Sequence, residues 1–410
     1  MSLRDILSGS GFYFSVIFCL LFLLFFPVDY YFIPNLGAFF EPVLLPVIDW
    51  FGHSVLGIED DFTAQLLSDS TGLFIFILLI SILAAIVAPF LAINLEVTKK
   101  IKLWFYTLLA YYIALTLIKY GADKIFKCQF YFPEPNTLYT PVGKLTPDIL
   151  YWSFMGSSYS YTVFSGIIEI IPALLLLFKR TRLLGALIAF MVLLNVVMIN
   201  FGFDITVKLY SLILLAFAGL IIIPELPKLY NFFIRKKTEE IQESTPIFKS
   251  KKEILTYTIV KVLVVGLILV ESFGIYFKTG NLNDDNYPRP YLHGAYDVLS
   301  YSENDTIIAA DLNNTKRFRR VFFHRRHYFI VQTMDDHFVD FKYQLEQGVN
   351  KLIIKSSTDE IFEFDYDLHL NQLTLVGEFY GKNIMVICKK INLNELPLKA
   401  EKFHWSIDDF

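Results

Sequence analysis

Apolar runs of about twenty residues recur along this chain, and they constrain its fold more than any other feature. A helix of that length crosses a hydrocarbon core about 30 Å thick, and 55% of the residues are hydrophobic. We therefore predict an all-α membrane helix bundle in a lipid bilayer, with about seven transmembrane helices: Gly11–Val28, Gly72–Asn94, Leu103–Tyr120, Leu150–Phe178, Leu183–Phe203, Ile205–Ile223 and Ile254–Phe277. We expect the first run to be retained, because no small-x-small cleavage site follows it.

The apolar segment Tyr30–Phe51 is treated separately, because Pro34, Pro42 and Pro46 interrupt it. A lipid-exposed helix broken at these positions would leave backbone groups without hydrogen-bond partners. We expect an interfacial or re-entrant segment, and a true transmembrane span is the alternative.

Charge bias in the loops predicts the orientation. Lys and Arg concentrate after the second, fourth and sixth runs, whereas the stretch 29–71 contains neither residue. The positive-inside rule therefore places the N-terminus in the cytoplasm and the C-terminal domain outside, in a bacterial inner membrane. In the last run we expect Lys261 to extend inward and Glu271 outward.

From Asp285 onward the sequence changes to short segments with a period of two, separated by turn residues. Eight strands are predicted, and a closed antiparallel β-barrel and a sandwich both remain open: His293–Tyr301, Arg317–Phe323, Tyr328–Thr333, Phe338–Leu345, Lys351–Lys355, Ile361–Tyr366, Leu373–Phe379 and Ile384–Lys390.

These patterns divide the chain into six parts. They are the N-terminal helices with the interfacial segment, a four-helix membrane core, a cytoplasmic loop, the last helix, a linker and an extracytoplasmic β domain: 1–102, 103–224, 225–253, 254–278, 279–290 and 291–410.

Polar residues on the fourth run share one helical face. Their offsets of 0, 3, 4, 7 and 11 define the stripe Ser158, Tyr161, Thr162, Ser165 and Glu169. Glu169 has no cation nearby in sequence, so we expect it to be a neutral acid. An inter-helix hydrogen bond and a proton or ligand role are both open for it.

A second polar group is predicted where the fifth and sixth runs meet. Asn200, Asp204 and Lys208 are spaced by four, and Lys124 and Gln129 follow the third run on the same side. We expect Lys124 to join Asn200, Asp204 and Lys208, with the stripe from Ser158 to Glu169 running inward. A structural ion pair that caps a helical hairpin is the alternative.

Several of these residues resemble one family. The segments Tyr120–Lys124, Gln129-Phe130 and Leu150–Gly156, with Gly166, Glu169 and Asn200–Lys208, resemble the DoxX-like bacterial membrane proteins over about Leu103–Pro224. The resemblance implies a four-helix core, and some members are associated with electron transfer from thiosulfate to quinone. The C-terminal part, from Tyr291–Tyr296 to Phe403-His404-Trp405, is similar to longer forms from Bacteroidetes.

The β domain has six of the seven histidines, but they form no metal-binding motif. A basic run at 316–320, followed by Arg325-Arg326, is typical of a solvated strand face or a headgroup contact.

Cys19, Cys128 and Cys388 form no cofactor pattern, and a Cys128–Cys388 bridge is left open. The net charge of −4 indicates no nucleic-acid partner.

Two functions remain open. In the first, the bundle handles a quinone or another lipid-soluble redox partner at a polar site in its outer half, built from Lys124, Gln129, Tyr161, Glu169, Asn200, Asp204 and Lys208. In the second, the bundle is a non-catalytic anchor, and the β domain binds an envelope protein. No haem, flavin, nucleotide or metal motif is present in the sequence.

Overall fold

The computed structural model describes residues 3–28, 30–59, 62, 65–91, 98–237, 250–400 and 406. The chain divides into two units, one formed by Met1–Gln129 and Ser160–Leu282, the other by Phe130–Tyr159 and Asn283–Phe410. Residues 238–249 of the cytoplasmic loop predicted at 225–253, and the motif Phe403-His404-Trp405, lie outside the described residues.

The first unit is helical. Its helices are α1 Leu3–Phe25, α2 Leu36–Ser54, α3 Thr71–Leu91, α4 Thr98–Ile125, α7 Tyr159–Leu176, α8 Arg182–Gly202, α9 Lys208–Ile222, α10 Leu226–Phe233 and α11 Lys251–Thr279. The first residue of α7 belongs to the second unit. Among the described residues, six helical stretches are long and apolar enough to cross a membrane: Thr71–Leu91, Ile101–Ile125, Tyr159–Leu176, Arg182–Gly202, Lys208–Phe233 and Lys251–Asn286. The chain is therefore a multi-pass membrane protein. The apolar part of α1, Gly9–Phe25, is shorter, so a total of seven spans stays a prediction.

Two predicted segments differ from the structure. The run Leu150–Phe178 is not one helix, because Ser158 has an extended backbone (φ −110°, ψ 105°) that separates α7 from the helix before it. The expectation that prolines break Tyr30–Phe51 is wrong, since α2 continues through Pro42 and Pro46. Whether α2 crosses the membrane stays a prediction, and α2 is not among the six candidate spans.

A close crossing of α4 and α7 depends on two glycines. A Cβ atom at Gly121 would lie 2.8 Å from the carbonyl oxygen of Gly166, and one at Gly166 would lie 2.5 Å from that of Gly121. Side chains here would force the helices apart. The crossing brings Lys124 on α4 next to Glu169 on α7.

The second unit contains a closed antiparallel barrel and three short helices. The strands are β1 Gly294–Glu303, β2 Thr306–Ile307, β3 Phe318–Phe323, β4 Tyr328–Thr333, β5 Phe338–Glu346, β6 Lys351–Lys355, β7 Ile361–His369, β8 Gln372–Phe379 and β9 Lys382–Lys390. The helices are α5 Pro135–Leu138, α6 Pro147–Ser157 and α12 Pro397–Ala400. Strand β1 pairs with β3, each strand from β3 to β8 pairs with the next, and β9 pairs with β1, which closes a barrel of eight strands. The barrel is confirmed and the sandwich is not.

Strand register in the barrel follows the sequence pattern. Phe364 and Tyr366 on β7 are buried, whereas their neighbours along the strand are not, which is the alternation of a one-sided sheet. Two-residue turns with positive φ at both residues, such as Leu370-Asn371, connect β1 to β2, β7 to β8 and β8 to β9. The barrel interior is therefore filled by side chains.

Segment boundaries also differ from the prediction. The sequence predicts a membrane core over 103–224 and a linker over 279–290, whereas Phe130–Tyr159 and Asn283–Phe410 form the barrel unit. The backbone N–H of Phe132 donates to Asp285, 2.6 Å away, so the two segments bind each other. Cys19 and Cys388 are buried free thiols, so the Cys128–Cys388 bridge is not formed.

Candidate functional site

A cavity of about 240 Å³ lies within the helical unit. Seven of its lining residues are apolar, among them Leu73 and Leu115. The polar lining consists of Tyr30, Ser68, Thr116, Lys119, Tyr120 and Tyr210. An apolar wall with a few convergent donors is typical of a site for a small, mostly apolar molecule.

Helix α4 supplies three of the polar lining residues from one face. Thr116, Lys119 and Tyr120 are spaced by three and four positions, so a single helical face presents all of them to the cavity. The Tyr210 hydroxyl lies 2.9 Å from that of Tyr112 and 3.5 Å from the Thr116 hydroxyl. These hydrogen bonds hold the Tyr210 phenol in place beside the cavity.

Lys119 is held by a carboxylate on the last membrane helix. Its ammonium lies 3.9 Å from Glu271 and 4.4 Å from the centre of the Tyr31 ring. Glu271 is fully buried, and its carboxylate accepts hydrogen bonds from the backbone N–H groups of Tyr31, Phe32 and Ile33. The expectation that Glu271 extends outward stays a prediction, and the group that it reaches is the backbone at Tyr31–Ile33. The carboxylate links the segment before α2 to α11.

Lys124 and Glu169 form a buried pair. The ammonium of Lys124 donates to Glu169 at 2.8 Å, and both side chains are at least nine-tenths buried. No cation is near Glu169 in the sequence, but the α4–α7 crossing brings one to it from 45 positions earlier in the chain. That contact removes the ground for expecting a neutral acid.

The predicted polar stripe on α7 does not form as one row. Ser158 lies before the helix, and Tyr161 is half exposed on its surface, whereas Thr162 is buried with Glu169. The Ser165 hydroxyl donates to the backbone carbonyl of Thr162. The helix break removes Ser158 from the row, and Tyr161 and Thr162 are adjacent on α7, so their side chains point about 100° apart.

Asp204 and Lys208 pair as predicted, at 2.8 Å. A residue missed in the sequence completes the arrangement, because Asp69 lies 3.6 Å from the Lys208 ammonium. Asp69 also accepts hydrogen bonds from the backbone N–H groups of Lys208 (3.0 Å) and Leu209 (2.9 Å). It therefore caps the N-terminus of α9. This geometry favours the structural alternative for the group.

Two predicted site residues have buried polar atoms that accept or donate no hydrogen bond within the described part of the chain. They are the side-chain oxygen of Gln129 and the amide nitrogen of Asn200. None of the seven predicted residues, from Lys124 to Lys208, is among the described residues that line the cavity.

A separate charged cluster lies inside the barrel unit. Arg325 forms ion pairs with Glu134 and Asp284, and Glu134 also lies 3.1 Å from His293 and 3.8 Å from His324. Burial by itself raises the pKa of Glu134, but the hydrogen bond from His293 and the positive charges of His324 and Arg325 lower it to about 2. Burial lowers the pKa of His324.

The arginines of the predicted basic run are largely paired within this unit. Arg319 lies 2.5 Å from Asp336, and Arg320 lies 2.7 Å from Asp297. Arg317 is buried and donates to the carbonyl oxygens of Ile308 and Phe318. The run is thus neither a plain solvated face nor an unpartnered basic patch.

A comparison with curated proteins finds the uncharacterized protein YwoB of Bacillus subtilis, which is 31% identical over 140 residues. The aligned segment covers 32% of this chain and 83% of the Bacillus protein. The chain belongs to the YwoB family. No family model matches the chain, and no solved structure matches it.

The alignment with YwoB covers about a third of this YwoB-family chain, and the name of that relative states no activity. Functional inference therefore depends on the residues themselves. Among the residues that the structure describes, no group of three or more His, Cys, Asp or Glu side chains is placed to hold a metal ion.

One signal in the sequence of this YwoB-family chain pointed to the cavity. Tyr112, Thr116, Lys119 and Tyr120 are polar residues at helical spacing inside an apolar run. Their spacing of four, three and one positions places them on one side of α4. Their partners Tyr210 on α9 and Glu271 on α11 have no signal of this kind, because these contacts depend on packing.

Proposed function

We propose that the helical unit binds the polar head of a lipid-soluble molecule of the quinone class in the cavity beside Lys119. The observation that carries the proposal is one ammonium, three phenols and two aliphatic hydroxyls on an otherwise apolar wall, inside a multi-pass membrane protein. Quinone oxygens accept hydrogen bonds, and lysine and tyrosine supply the donors.

The size of the cavity supports a single ring as its occupant. Pockets for drug-sized ligands usually start at about 300 Å³, and this cavity is about 240 Å³. A ring-shaped head fits that volume, and an isoprenoid tail would extend along the apolar surface between helices. The ion pair with Glu271 would hold the Lys119 ammonium so that it points toward the bound quinone ring.

We also propose that residues 103–224 form a DoxX-like core and that the protein is located in a bacterial inner membrane. Its support is the set of motifs between Tyr120 and Lys208 and the charge bias of the loops. We place the N-terminus in the cytoplasm and the barrel outside, with seven spans if α1 crosses. The role proposed for the cavity is binding and orientation of the head.

The test measures quinone that copurifies with the full chain. We expect mass spectrometry of extracted lipids to find quinone close to one per chain in the wild type. Leu115→Trp fills the cavity and should remove it. Leu108→Trp is the matched control, because Leu108 is on the same helix, is 40% exposed and does not line the cavity. Equal quinone in all three proteins would contradict the proposal.

A second candidate function is a membrane anchor that presents the barrel to an envelope protein. The observation that favours it is the closed barrel. The Glu134–Arg325 ion pair joins Phe130–Tyr159 to this barrel within one unit. Cross-linking in intact cells separates the two. A single envelope protein cross-linked to the barrel, unchanged by Leu115→Trp, would support the anchor.

A further inference from the structure

Three cationic side chains meet where α7, α8 and α11 come together, away from the cavity residues. Lys179 lies in the turn between α7 and α8, Arg182 begins α8 and Lys261 is on α11. All three are partly buried. Cations in this position are costly in a membrane protein unless an anion compensates them.

Reciprocal contacts bring the turn and α11 together. The Lys179 ammonium lies 5.5 Å from the centre of the Tyr257 ring, and the Lys261 ammonium lies 4.8 Å from the centre of the Phe178 ring. Phe178 and Lys179 are adjacent, and Tyr257 and Lys261 are one helical turn apart on α11. The ammonium groups of Lys179 and Lys261 therefore lie close to each other, between the turn and α11. Lys261 is close enough to Arg182 for their charges to repel each other.

Compensation by carboxylates is missing for two of these cations. Within the described ranges, no ion pair includes Arg182 or Lys261. The guanidinium of Arg182 donates to the Thr107 hydroxyl at 3.2 Å, and its buried Nε has no acceptor among the described residues. Buried N–H donors in proteins are nearly always hydrogen-bonded, so an acceptor is expected beside this atom.

We propose that Arg182, Lys261 and Lys179 bind the phosphate of an anionic phospholipid at this end of the helices. Arg matches the oxygens of a phosphate through its planar donors, and lysines add point charge. The site goes beyond the proposed quinone cavity and shares no residue with it.

The surrounding surface favours a lipid over free phosphate. Ile259, Val262 and Leu263, on both sides of Lys261, are 49%, 64% and 65% exposed. Phe178 in the turn is 53% exposed. Acyl chains would lie along this apolar surface of α11 while the headgroup reaches the cations.

The experiment compares lipid binding by the full chain and by charge variants. Purified protein in neutral detergent receives phosphatidylglycerol, phosphatidylcholine or inorganic phosphate, and native mass spectrometry and thermal unfolding are recorded. We expect phosphatidylglycerol to bind and stabilise the wild type more than phosphatidylcholine does. Arg182→Gln and Lys261→Gln should each weaken phosphatidylglycerol binding about fivefold.

Two control variants separate binding from general charge and from folding. Arg180→Gln removes a cation from the same turn, but Arg180 is exposed and should leave binding unchanged. Thr107→Val removes the hydrogen-bond partner of Arg182 and keeps the charge, so phosphatidylglycerol should still bind. An equal loss in Arg180→Gln, equal binding of both lipids or equal stabilisation by inorganic phosphate would overturn the proposal. A chain that dimerises through this surface without lipid would overturn it as well.

Discussion

Arg325 donates from its Nε atom to the carboxylate of Glu134, which lies 191 positions earlier in the chain. Only 14% and 4% of the two side chains are exposed, so the pair is nearly dry. Glu134 follows α4 and Arg325 lies between β3 and β4. The pair therefore attaches a connection between membrane helices to the barrel, inside one unit.

Removing the cation of this pair should destabilise the barrel unit. Arg325→Met leaves a buried carboxylate without its main partner, and we expect a loss of about 3–5 kcal/mol in the free energy of unfolding. Chemical denaturation of the full chain, followed by the β-sheet circular dichroism signal, measures it. Arg319→Met is the control, because its partner Asp336 is one-third exposed and the loss should stay below about 1 kcal/mol. Equal effects would contradict the structure.

Acid should weaken the barrel unit through Glu134. The folded pKa of about 2 lies below the ordinary value of 4.5, so the charged form stabilises the fold above about pH 4.5. This contribution is lost as the pH falls from 4.5 toward 2. In that window we expect wild-type stability to fall more steeply than that of Glu134→Gln, by roughly 3 kcal/mol over the whole range. Parallel curves would show that Glu134 is not held as described.

Asp69 should matter more for stability than Asp204. Asp69 caps α9 with two backbone hydrogen bonds and also contacts Lys208, so Asp69→Ala should cost about 1–2 kcal/mol. The Asp204 side chain is 81% exposed, and asparagine tolerates its positive φ of 51°. Asp204→Asn should therefore cost less than about 1 kcal/mol. Thermal unfolding in detergent measures both, and the reverse order would contradict this assignment of the cap.

Glu271 should be needed for folding of the helical unit. Glu271→Ala leaves the partly buried N–H groups of Tyr31, Phe32 and Ile33 without their acceptor, at up to about 1–3 kcal/mol for each donor. We expect a large fall in the amount of folded protein recovered from membranes. Glu253→Ala, an exposed glutamate on the same helix, should leave recovery unchanged. Normal recovery of the Glu271 variant would mean that other groups satisfy these amides.

Helix α2 should have both ends on one side of the membrane if it is interfacial or re-entrant. Leu36→Cys and Leu56→Cys are exposed positions at its two ends. In a Cys128→Ser background, an impermeant thiol reagent added outside intact cells should label both. Labelling of one end alone, with the other reached after permeabilisation, would make α2 a span.

Local patterns predicted the elements of this fold well. Apolar runs predicted the positions of the six candidate spans, and the period of two predicted the eight strands that close the barrel. Both patterns depend on whether a residue faces lipid, core or water, which each segment expresses by itself. The break at Ser158 was missed because the apolar run continues across it.

The sequence by itself determined a multi-pass membrane protein with a β-rich C-terminal part, because hydropathy and its period are properties of single segments. Only the tertiary structure decided the partners of the charged groups. Glu169 lies next to Lys124, Glu271 next to Lys119, and Glu134 next to Arg325. The separations within these pairs are set by helix crossings and loop packing, and no local spacing encodes them. Burial in low dielectric then makes each pairing obligatory, because an isolated charge there is too costly to keep.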